Sequence, residues 1–262
     1  MNLLVDPDLF AAIRKHAAAV NRPLILPRYE NAMTAAPTID AKLMVDRAYA
    51  DPNALSRRFR EKRFARIKAT IDRIIAEKGR CRIADIGGTQ YYWDIVAEFV
   101  ATRPVDITLI NPKEAAPSAG KFRHLAGDAT ELGEFADMSF DFVHSNSVIE
   151  HVGDWTKMAA MAANVRRLAP RYYVQTPNFW FPYEPHFRCL FIHWLPEQMR
   201  YRLVKRYALG FADAKETVGA AMERVQSARL IDEGQMRALF PDAAIARERV
   251  IGLTKSVIAF RD

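Results

Sequence analysis

The first residues whose types and order suit ligand chemistry are Asp85, Gly87 and Gly88, in the segment ADIGGTQYYWD. They follow the hydrophobic run CRIADI, which is typical of a buried strand. Glycines at the end of a strand let the backbone approach a ligand closely. The same pattern also suits a plain turn between a strand and a helix, so both interpretations stay open on these residues alone. The chain lacks GxGxxG and GxxxxGK[ST] spacing here, which argues against a dinucleotide fingerprint and a phosphate-binding loop.

Further polar residues follow two later strand candidates. Asp128 and Ala129 come after KFRHLAG, and Ser145 and Asn146 end the segment SFDFVHSN. Ligands of open α/β sheets bind beyond the carboxyl ends of the strands, so these residues are expected to line one pocket with the glycine turn. For Asp128 alone, capping of the following segment is the simpler interpretation.

Proton-transfer chemistry is indicated by the segment Glu184-Pro185-His186. Histidine is the usual base at neutral pH, and a carboxylate beside it can orient the ring. His186 is the first candidate base, Glu184 its orienting group or an alternative base, and His151 the second candidate. Anchoring of the loop is the competing interpretation for His186, while Glu150 and His193 are interpreted as structural. No metal is expected, because the His and Asp residues show no ligand spacing.

An acceptor surface is predicted from the aromatic segment PNFWFPYEPHF, which follows the strand candidate RYYVQT. Such a stiff segment suits flat apolar or sugar-like faces, and it starts where substrate loops of α/β sheets belong. The residues expected to contact the substrate are Asn178, Phe179, Trp180 and Tyr183. The stretch that follows mixes apolar and basic residues, and it predicts one or two amphipathic helices forming a lid. An amphiphilic or anionic acceptor, and peripheral contact with a membrane surface, are compatible with this pattern.

The elements that must position these residues alternate between strands and helices. This order predicts an α/β fold with a Rossmann-like, mainly parallel seven-stranded sheet and right-handed crossovers. AAIARERV and LTKSVIAFR are joined by a short link through Gly252, which predicts a C-terminal antiparallel hairpin. We expect one domain with four parts: an N-terminal helical extension at 1–78, a ligand-binding core at 80–178, a helical and aromatic cap at 179–228, and the hairpin at 229–262.

Composition narrows the class of protein. Half of the 262 residues are hydrophobic and 26% are charged, which excludes disorder of the whole chain. The formal net charge of +7 is spread over scattered basic residues without a nucleic-acid motif, so a nucleic-acid partner is not expected. The two cysteines, Cys81 and Cys189, show no metal-ligand spacing. With no apolar run of bilayer length and no secretory signal pattern at the start, a cytoplasmic location is expected.

Three segments, in their order along the chain, resemble motifs of the class I S-adenosylmethionine-dependent methyltransferases, in particular the type 11 group. They are ADIGGTQYYWD, GDA and FDFVHSNSVIEHV. The resemblance covers roughly residues 80–178, with a weaker likeness near the end of the chain. It implies S-adenosyl-L-methionine as methyl donor and S-adenosyl-L-homocysteine as product. The implied acceptor is a small molecule, or a saccharide or lipid-linked acceptor, with oxygen as the favoured atom.

The resemblance also implies roles for single residues. Asp85, Gly87 and Gly88 would lie against the methionine and ribose part of the cofactor, and Asp128 would contact the adenine amino group. The full set of expected cofactor-binding residues is Asp85, Gly87, Gly88, Thr89, Tyr91, Asn111, Asp128, Ala129, Ser145 and Asn146.

Two departures from the family pattern predict weakened cofactor binding. Thr89 and Tyr91 stand where the family continues its glycines, and Asn111 replaces the acid that holds the ribose hydroxyls. An amide lacks the charge-assisted strength of a carboxylate. Tyr91 and Tyr92 either present a ring to the sulfonium or pack inward, and inward packing is favoured for Trp93.

The sequence leaves three alternatives open. A catalytically degenerate binding protein on the same fold is kept open by Thr89 and Asn111. A nicotinamide-dependent oxidoreductase is disfavoured by the missing GxGxxG and by the predicted terminal hairpin. Methylation of nucleic acid is disfavoured because the fourth strand runs into SNSVIEHV. The sequence predicts no oligomeric state.

Overall fold

Nine strands can be assigned in the computed structural model, which describes residues 55–113, 118, 120–210 and 212–262. Of the N-terminal helical extension predicted at 1–78, residues 1–54 lie outside this description. The strands are β1 (Cys81–Ile86), β2 (Val105–Asn111), β3 (Phe122–Ala126), β4 (Phe142–Asn146), β5 (Arg171–Pro177), β6 (Tyr183–Glu184), β7 (Cys189–Leu190), β8 (Ala244–Val250) and β9 (Leu253–Arg261).

Seven of these strands form one sheet in the order β3-β2-β1-β4-β5-β9-β8. Strands β1 to β5 run parallel, β9 pairs antiparallel with β5, and β8 pairs antiparallel with β9. This arrangement confirms the predicted α/β fold with its Rossmann-like sheet and terminal hairpin. The strand order reverses direction between β1 and β4, which places a ligand crevice beyond the carboxyl ends of these two strands.

Seven α-helices accompany the strands in the part of the chain that is described. They are α1 (Leu55–Lys78), α2 (Gln90–Trp93), α3 (Ala97–Thr102), α4 (Trp155–Leu168), α5 (Glu197–Arg206), α6 (Val218–Gln226) and α7 (Glu233–Leu239). None of these helices is long and apolar enough to cross a membrane.

The sequence from Tyr92 to Val100 is typical of one continuous helix, and this prediction is wrong. The structure divides this segment into α2, a 3₁₀ turn at Asp94–Val96, and α3. Val96 leaves helical geometry with φ −126° and ψ 34°. The indole of Trp93 is held by Asp85 on the neighbouring strand, with 2.7 Å between Nε1 and Oδ2. This tertiary contact fixes the first turn, and the periodicity of the sequence does not show it.

Hydrophobic packing covers both faces of the sheet. On one face, the stripe of α1 buries Phe64, Ile67, Ile71 and Ile74 to 1% exposure or less, in the same cluster as the side chains of β1 and β2. Each such side chain stabilises the fold by about 1.5–3 kcal/mol relative to exposure. On the other face, α4 and α7 pack against the same sheet. The sheet is therefore a rigid platform for the groups at its carboxyl edge.

Residues 179–228 build a separate apolar cluster of their own. The hairpin β6-β7 and the helices α5 and α6 enclose a small core of Phe187, Ile192, Val204, Ala221 and Val225. This core holds the cap as a packed unit, so polar groups carried by the hairpin have fixed positions.

Candidate active site

The turn after β1 requires both of its glycines. Gly87 adopts a φ of +69°, a left-handed conformation that favours glycine. A Cβ atom on Gly88 would lie 1.7 Å from Oδ2 of Asp85, a contact that no side chain can make. Nδ2 of Asn111, the last residue of β2, donates a hydrogen bond of 2.9 Å to the Gly88 carbonyl. The turn is thereby fixed to two strands and presents bare backbone at the crevice.

Asp85 lies behind this turn and is fully buried. Its Oδ2 accepts a hydrogen bond from Nε1 of Trp93, and its Oδ1 accepts one from Nδ1 of His144, each at 2.7 Å. Both oxygens are therefore engaged inside the protein, and the carboxylate positions the turn. A direct contact between Asp85 and a cofactor stays a prediction.

The two positions that follow β3 lie near the crevice in different settings. Asp128 is exposed, and its Oδ1 accepts hydrogen bonds from the amide and the hydroxyl of Thr130, at 2.8 and 2.7 Å. These bonds hold the pKa of Asp128 below its ordinary value. The carbonyl of Ala129 accepts a hydrogen bond from Asn164 in α4. Asp128 thus caps a turn, as its simpler interpretation predicts, and its contact with adenine stays a prediction.

A buried polar network that the sequence does not reveal closes the end of β4. Nη1 of Arg63, in α1, donates to Oδ1 of Asn146 at 2.6 Å and to Oε1 of Gln175 at 3.0 Å. Arg63 also forms a bidentate pair with Glu248 of β8, with both N···O distances at 2.6 Å. Burial lowers the pKa of Arg63, but the bond and charge of Glu248 outweigh it and raise the pKa above its ordinary value. No short-range pattern marks Arg63 as a partner of Asn146.

The remaining residues predicted to bind the cofactor differ in their exposure. The hydroxyl of Ser145 is buried and donates to the Ile86 carbonyl at 3.1 Å, which joins β4 to β1. Thr89 is half-buried and precedes α2 without capping it through its side chain. Tyr91 is 41% exposed, whereas Tyr92 and Trp93 are buried. Tyr91 is therefore the aromatic ring of this segment that faces outward.

The first two candidates for proton transfer form a dyad on the hairpin β6-β7. Nδ1 of His186 donates to Oε1 of Glu184 at 2.6 Å, and Oε2 of Glu184 accepts from the Phe187 amide at 2.6 Å. Burial lowers the pKa of His186, but the hydrogen bond and charge of Glu184 outweigh it, so the pKa is raised. Burial raises the pKa of Glu184, and the bond to His186 reverses this, so the pKa is lowered. The dyad therefore orients the ring and stabilises its protonated form.

The backbone of His186 is fixed by the rest of the cap. Nη2 of Arg224, in α6, donates to the His186 carbonyl at 2.7 Å. Gly210 adopts φ +71°, and a Cβ atom there would lie 2.2 Å from the same carbonyl oxygen. The glycine is thus required for the close approach of its segment to His186.

The fold also brings His151 and Glu150, which follow β4, next to the Glu184–His186 dyad. Both belong to the 3₁₀ turn Ile149–His151 that follows β4. The rings of His151 and His186 lie 4.7 Å apart at 89°, and Nδ1 of His151 donates to the Ser227 carbonyl at 2.7 Å. Glu150 is buried, and its Oε2 accepts from the Thr176 hydroxyl at 2.9 Å. One carboxylate oxygen of Glu150 and one ring nitrogen each of His151 and His186 all lie within 4.8 Å of one another.

The predicted substrate residues divide into inner and outer ones. Asn178 is buried and its Nδ2 donates to the Thr254 carbonyl at 2.9 Å, so its side chain fastens the loop to β9. The Phe179 carbonyl accepts hydrogen bonds from His193 and Trp194. Trp180 is 62% exposed, and Tyr183 pairs with Leu190 across the hairpin. Trp180 therefore provides the most accessible aromatic face of the four.

The sequence model of a family described as "Methyltransferase domain" matches residues 85–170. An uncharacterized protein of Mycobacterium tuberculosis is 31% identical over 101 residues, which are 34% of this chain and 34% of that protein. The match thus spans about a third of the length of the curated relatives.

Two solved structures are among those to which the chain is similar. The 1,6-didemethyltoxoflavin-N1-methyltransferase of Burkholderia thailandensis, solved with S-adenosylhomocysteine, is 13% identical with a TM-score of 0.45, covering 99% of this chain and 91% of that one. A SAM-dependent methyltransferase of Methanosarcina mazei is 15% identical with a TM-score of 0.41, covering 69% of this chain and 91% of that one.

Proposed function

We propose that this protein transfers a methyl group from S-adenosyl-L-methionine to a hydroxyl group of an acceptor, a proposal supported by the match of residues 85–170 to the methyltransferase-domain model. The acceptor class that we propose is a small molecule, or a saccharide or lipid-linked molecule. The observation that carries the proposal is the Glu184–His186 dyad, which is fixed in the cap and joined by a 2.6 Å hydrogen bond.

The residues at the crevice fit the cofactor. The turn at Gly87 and Gly88 offers backbone without side chains, and the contact of Gly88 with Asp85 excludes any larger residue. Asn111 uses one amide hydrogen for the Gly88 carbonyl, and its Oδ1 is the atom that would accept a ribose hydroxyl. Tyr91 presents an exposed ring, and an aromatic face favours a positively charged group.

Bound S-adenosylmethionine supplies a methyl group on a positively charged sulfur, which keeps the electron pair of the C–S bond when the methyl group leaves. Nε2 of His186 takes the proton of the acceptor hydroxyl as the new C–O bond forms. Glu184 orients the ring through Nδ1 and stabilises the imidazolium that results. His151, 4.7 Å away ring to ring, is the second candidate for this proton.

The aromatic loop of the cap supports a flat or sugar-like acceptor. Trp180, Trp194 and Phe191 are 62%, 41% and 45% exposed, and their rings are neighbours at 5.0–6.5 Å. Such a surface packs against sugar rings or apolar chains, while the rigid cap holds the reacting hydroxyl near His186. Positioning of this kind supplies much of the acceleration of a transfer reaction.

The cofactor is tested by calorimetry on the full chain, titrated with S-adenosylmethionine and S-adenosylhomocysteine. We expect wild type to bind both and Gly88→Ala to lose at least tenfold in affinity, since the added methyl group strikes Asp85. Gly133→Ala is the matched control, because a Cβ atom there meets nothing within 4 Å. A folded wild-type sample that binds neither compound would refute the enzyme hypothesis. Binding without transfer to any acceptor of a saccharide and lipid panel would favour a degenerate binding protein instead.

A further inference from the structure

Glu150 is a buried acid whose capacity for hydrogen bonding is only half used. Glu150 is 1% exposed, and its Oε2 accepts a hydrogen bond of 2.9 Å from the Thr176 hydroxyl. Oε1 is also buried and has no hydrogen-bond partner among the residues that the structure describes. A buried carboxylate oxygen without a partner is costly, so a group that binds it is expected.

The histidines beside Glu150 are held in the way that metal-binding histidines are held. Nδ1 of His186 donates to the carboxylate of Glu184, and Nδ1 of His151 donates to the Ser227 carbonyl. Histidine ligands of metals almost always donate their other ring N–H to a carboxylate or a backbone carbonyl, which fixes the tautomer. The ring atom that each would offer to a metal is therefore Nε2.

We propose that Glu150, His151 and His186 form a binding site for a divalent transition-metal cation of the zinc type. Two imidazoles and one carboxylate suit zinc or ferrous iron, whereas magnesium and calcium prefer oxygen ligands. The site also supplies negative charge, because Glu184 backs one histidine and Glu150 is itself a ligand. The expectation of no metal, taken from sequence spacing, is replaced by this proposal.

The geometry needs only a small closure to bind an ion. The three ligand atoms lie within 4.8 Å of one another. Metal–ligand bonds of ~2.0–2.2 Å in a tetrahedral site place the ligands about 3.3 Å apart. Glu150 and His186 are held by the sheet edge and the cap, so the closure would come from a small tilt of the exposed His151 ring about its Nδ1 bond to the Ser227 carbonyl. The exposed side of His151 also gives an ion a route of entry.

A bound cation would deepen the proposed function, and this consequence rests on that function. With three protein ligands, a zinc-type ion keeps an open position, which an acceptor hydroxyl can occupy. Coordination lowers the pKa of a bound hydroxyl, so its proton leaves to solvent more readily. His186 and His151 would then act as ligands and not as bases. Cation binding itself does not depend on methyl transfer.

The test uses the full chain, freed of metal with a chelator and titrated with Zn²⁺ by calorimetry. We expect one equivalent to bind and to raise the Tm of the protein. Glu150→Gln, His151→Gln and His186→Gln should each lower the affinity at least tenfold. Glu184→Gln should lower it about 10–100-fold, because it removes the group that orients His186. His124→Gln in β3 is the matched control and should bind as wild type does.

Two outcomes would overturn the site. One is a folded wild-type protein that binds no Zn²⁺. The other is that both His151→Gln, a change at an exposed residue, and Glu150→Gln bind Zn²⁺ with the affinity of wild type. Displacement of Zn²⁺ by an equal concentration of Mg²⁺ would contradict the assigned type of cation. Titration of the same samples with S-adenosylhomocysteine tests the methyltransferase proposal separately. Binding of that compound without Zn²⁺ binding would reject the metal site and leave the histidine base in place.

Discussion

The two ends of strand β4 carry buried carboxylates in opposite states. At the amino end, Asp141 is 3% exposed and its carboxylate accepts hydrogen bonds from Lys78 at 2.8 Å and from the amide and Nε of Arg82 at 2.9 and 3.1 Å. At the carboxyl end, Glu150 is equally buried, but within the described chain only its Oε2 has a hydrogen-bond partner.

The contrast separates a group that stabilises the fold from one that awaits a ligand. Burial raises the pKa of Asp141, but the hydrogen bonds of Arg82 and Lys78 outweigh it and lower the pKa to about 2. That carboxylate fastens the end of α1 and the start of β1 to β4. Glu150 fastens only Thr176, while its other oxygen lies beside two histidines. Ligand sites on such sheets lie at the carboxyl ends of the strands, where the unsatisfied carboxylate is found.

The largest effect is expected at a second fully paired carboxylate, Glu248. Arg63→Met leaves Glu248 buried without its bidentate partner, and removal of one member of a buried pair destabilises by about 3–5 kcal/mol. The double variant Arg63→Met with Glu248→Leu should recover most of this loss, because neither charge of the pair remains. Urea unfolding of both variants measures the difference. If Arg63→Met lowers the free energy of unfolding by less than about 1 kcal/mol, the pairing of a buried carboxylate does not mark it as a group that stabilises the fold.

A smaller, pH-dependent effect is expected at Asp141. The pKa of its carboxyl is lowered from 3.8 to about 2 in the folded protein, so its stabilisation is present above pH 3.8 and is lost as the pH falls through 2. Asp141→Asn should therefore reduce the free energy of unfolding by about 2 kcal/mol at pH 7, and by almost nothing near pH 2.

The control for this prediction is a half-exposed ion pair. Asp72 pairs with Arg103 at 2.8 Å, and both side chains are 40% exposed or more. Asp72→Asn should change the free energy of unfolding by less than about 1 kcal/mol at either pH. If Asp141→Asn and Asp72→Asn lower the free energy of unfolding equally at pH 7, the burial of Asp141 does not increase the stabilisation that its ion pairs provide.

The smallest effect on stability is expected at Glu150, although it is as buried as Asp141. Glu150→Gln keeps an oxygen for the Thr176 hydroxyl and removes a buried charge that has no cationic partner within hydrogen-bond distance among the described residues. Its free energy of unfolding should stay within about 1 kcal/mol of wild type in urea, while metal binding and methyl transfer fall. A loss as large as that of Asp141→Asn would remove the distinction between the two ends of β4.

Much of the fold follows from the sequence because its signals are local. VDITLIN, whose apolar and β-branched residues predict a strand, forms β2 (Val105–Asn111), and KFRHLAG contains β3. The short link through Gly252 becomes a turn with φ +80° between β8 and β9. Strand alternation, helical periodicity and turn glycines each act over a few residues, so a single sequence displays them.

The candidate site is only partly visible in the same way. The Glu184–His186 dyad spans two residues of separation, and its types alone predict the pairing. The family resemblance predicts that Asp85 lies at the cofactor, which stays a prediction, but it does not show that Trp93 and His144 engage the Asp85 side chain. The break between α2 and α3 has the same origin, because Trp93 turns inward to reach Asp85.

The sequence by itself thus determined the strands of the seven-stranded sheet, the glycine turn, the terminal hairpin and the dyad, since each depends on neighbours along the chain. Only the tertiary structure decided which distant groups meet. Arg63 reaches Glu248 across 185 positions, and Glu150 and His151 meet His186 where the cap closes over the sheet edge. These contacts depend on how packed layers are oriented, and no short-range pattern encodes that orientation. Whether both oxygens of a buried carboxylate have hydrogen-bond partners is therefore decided by the fold.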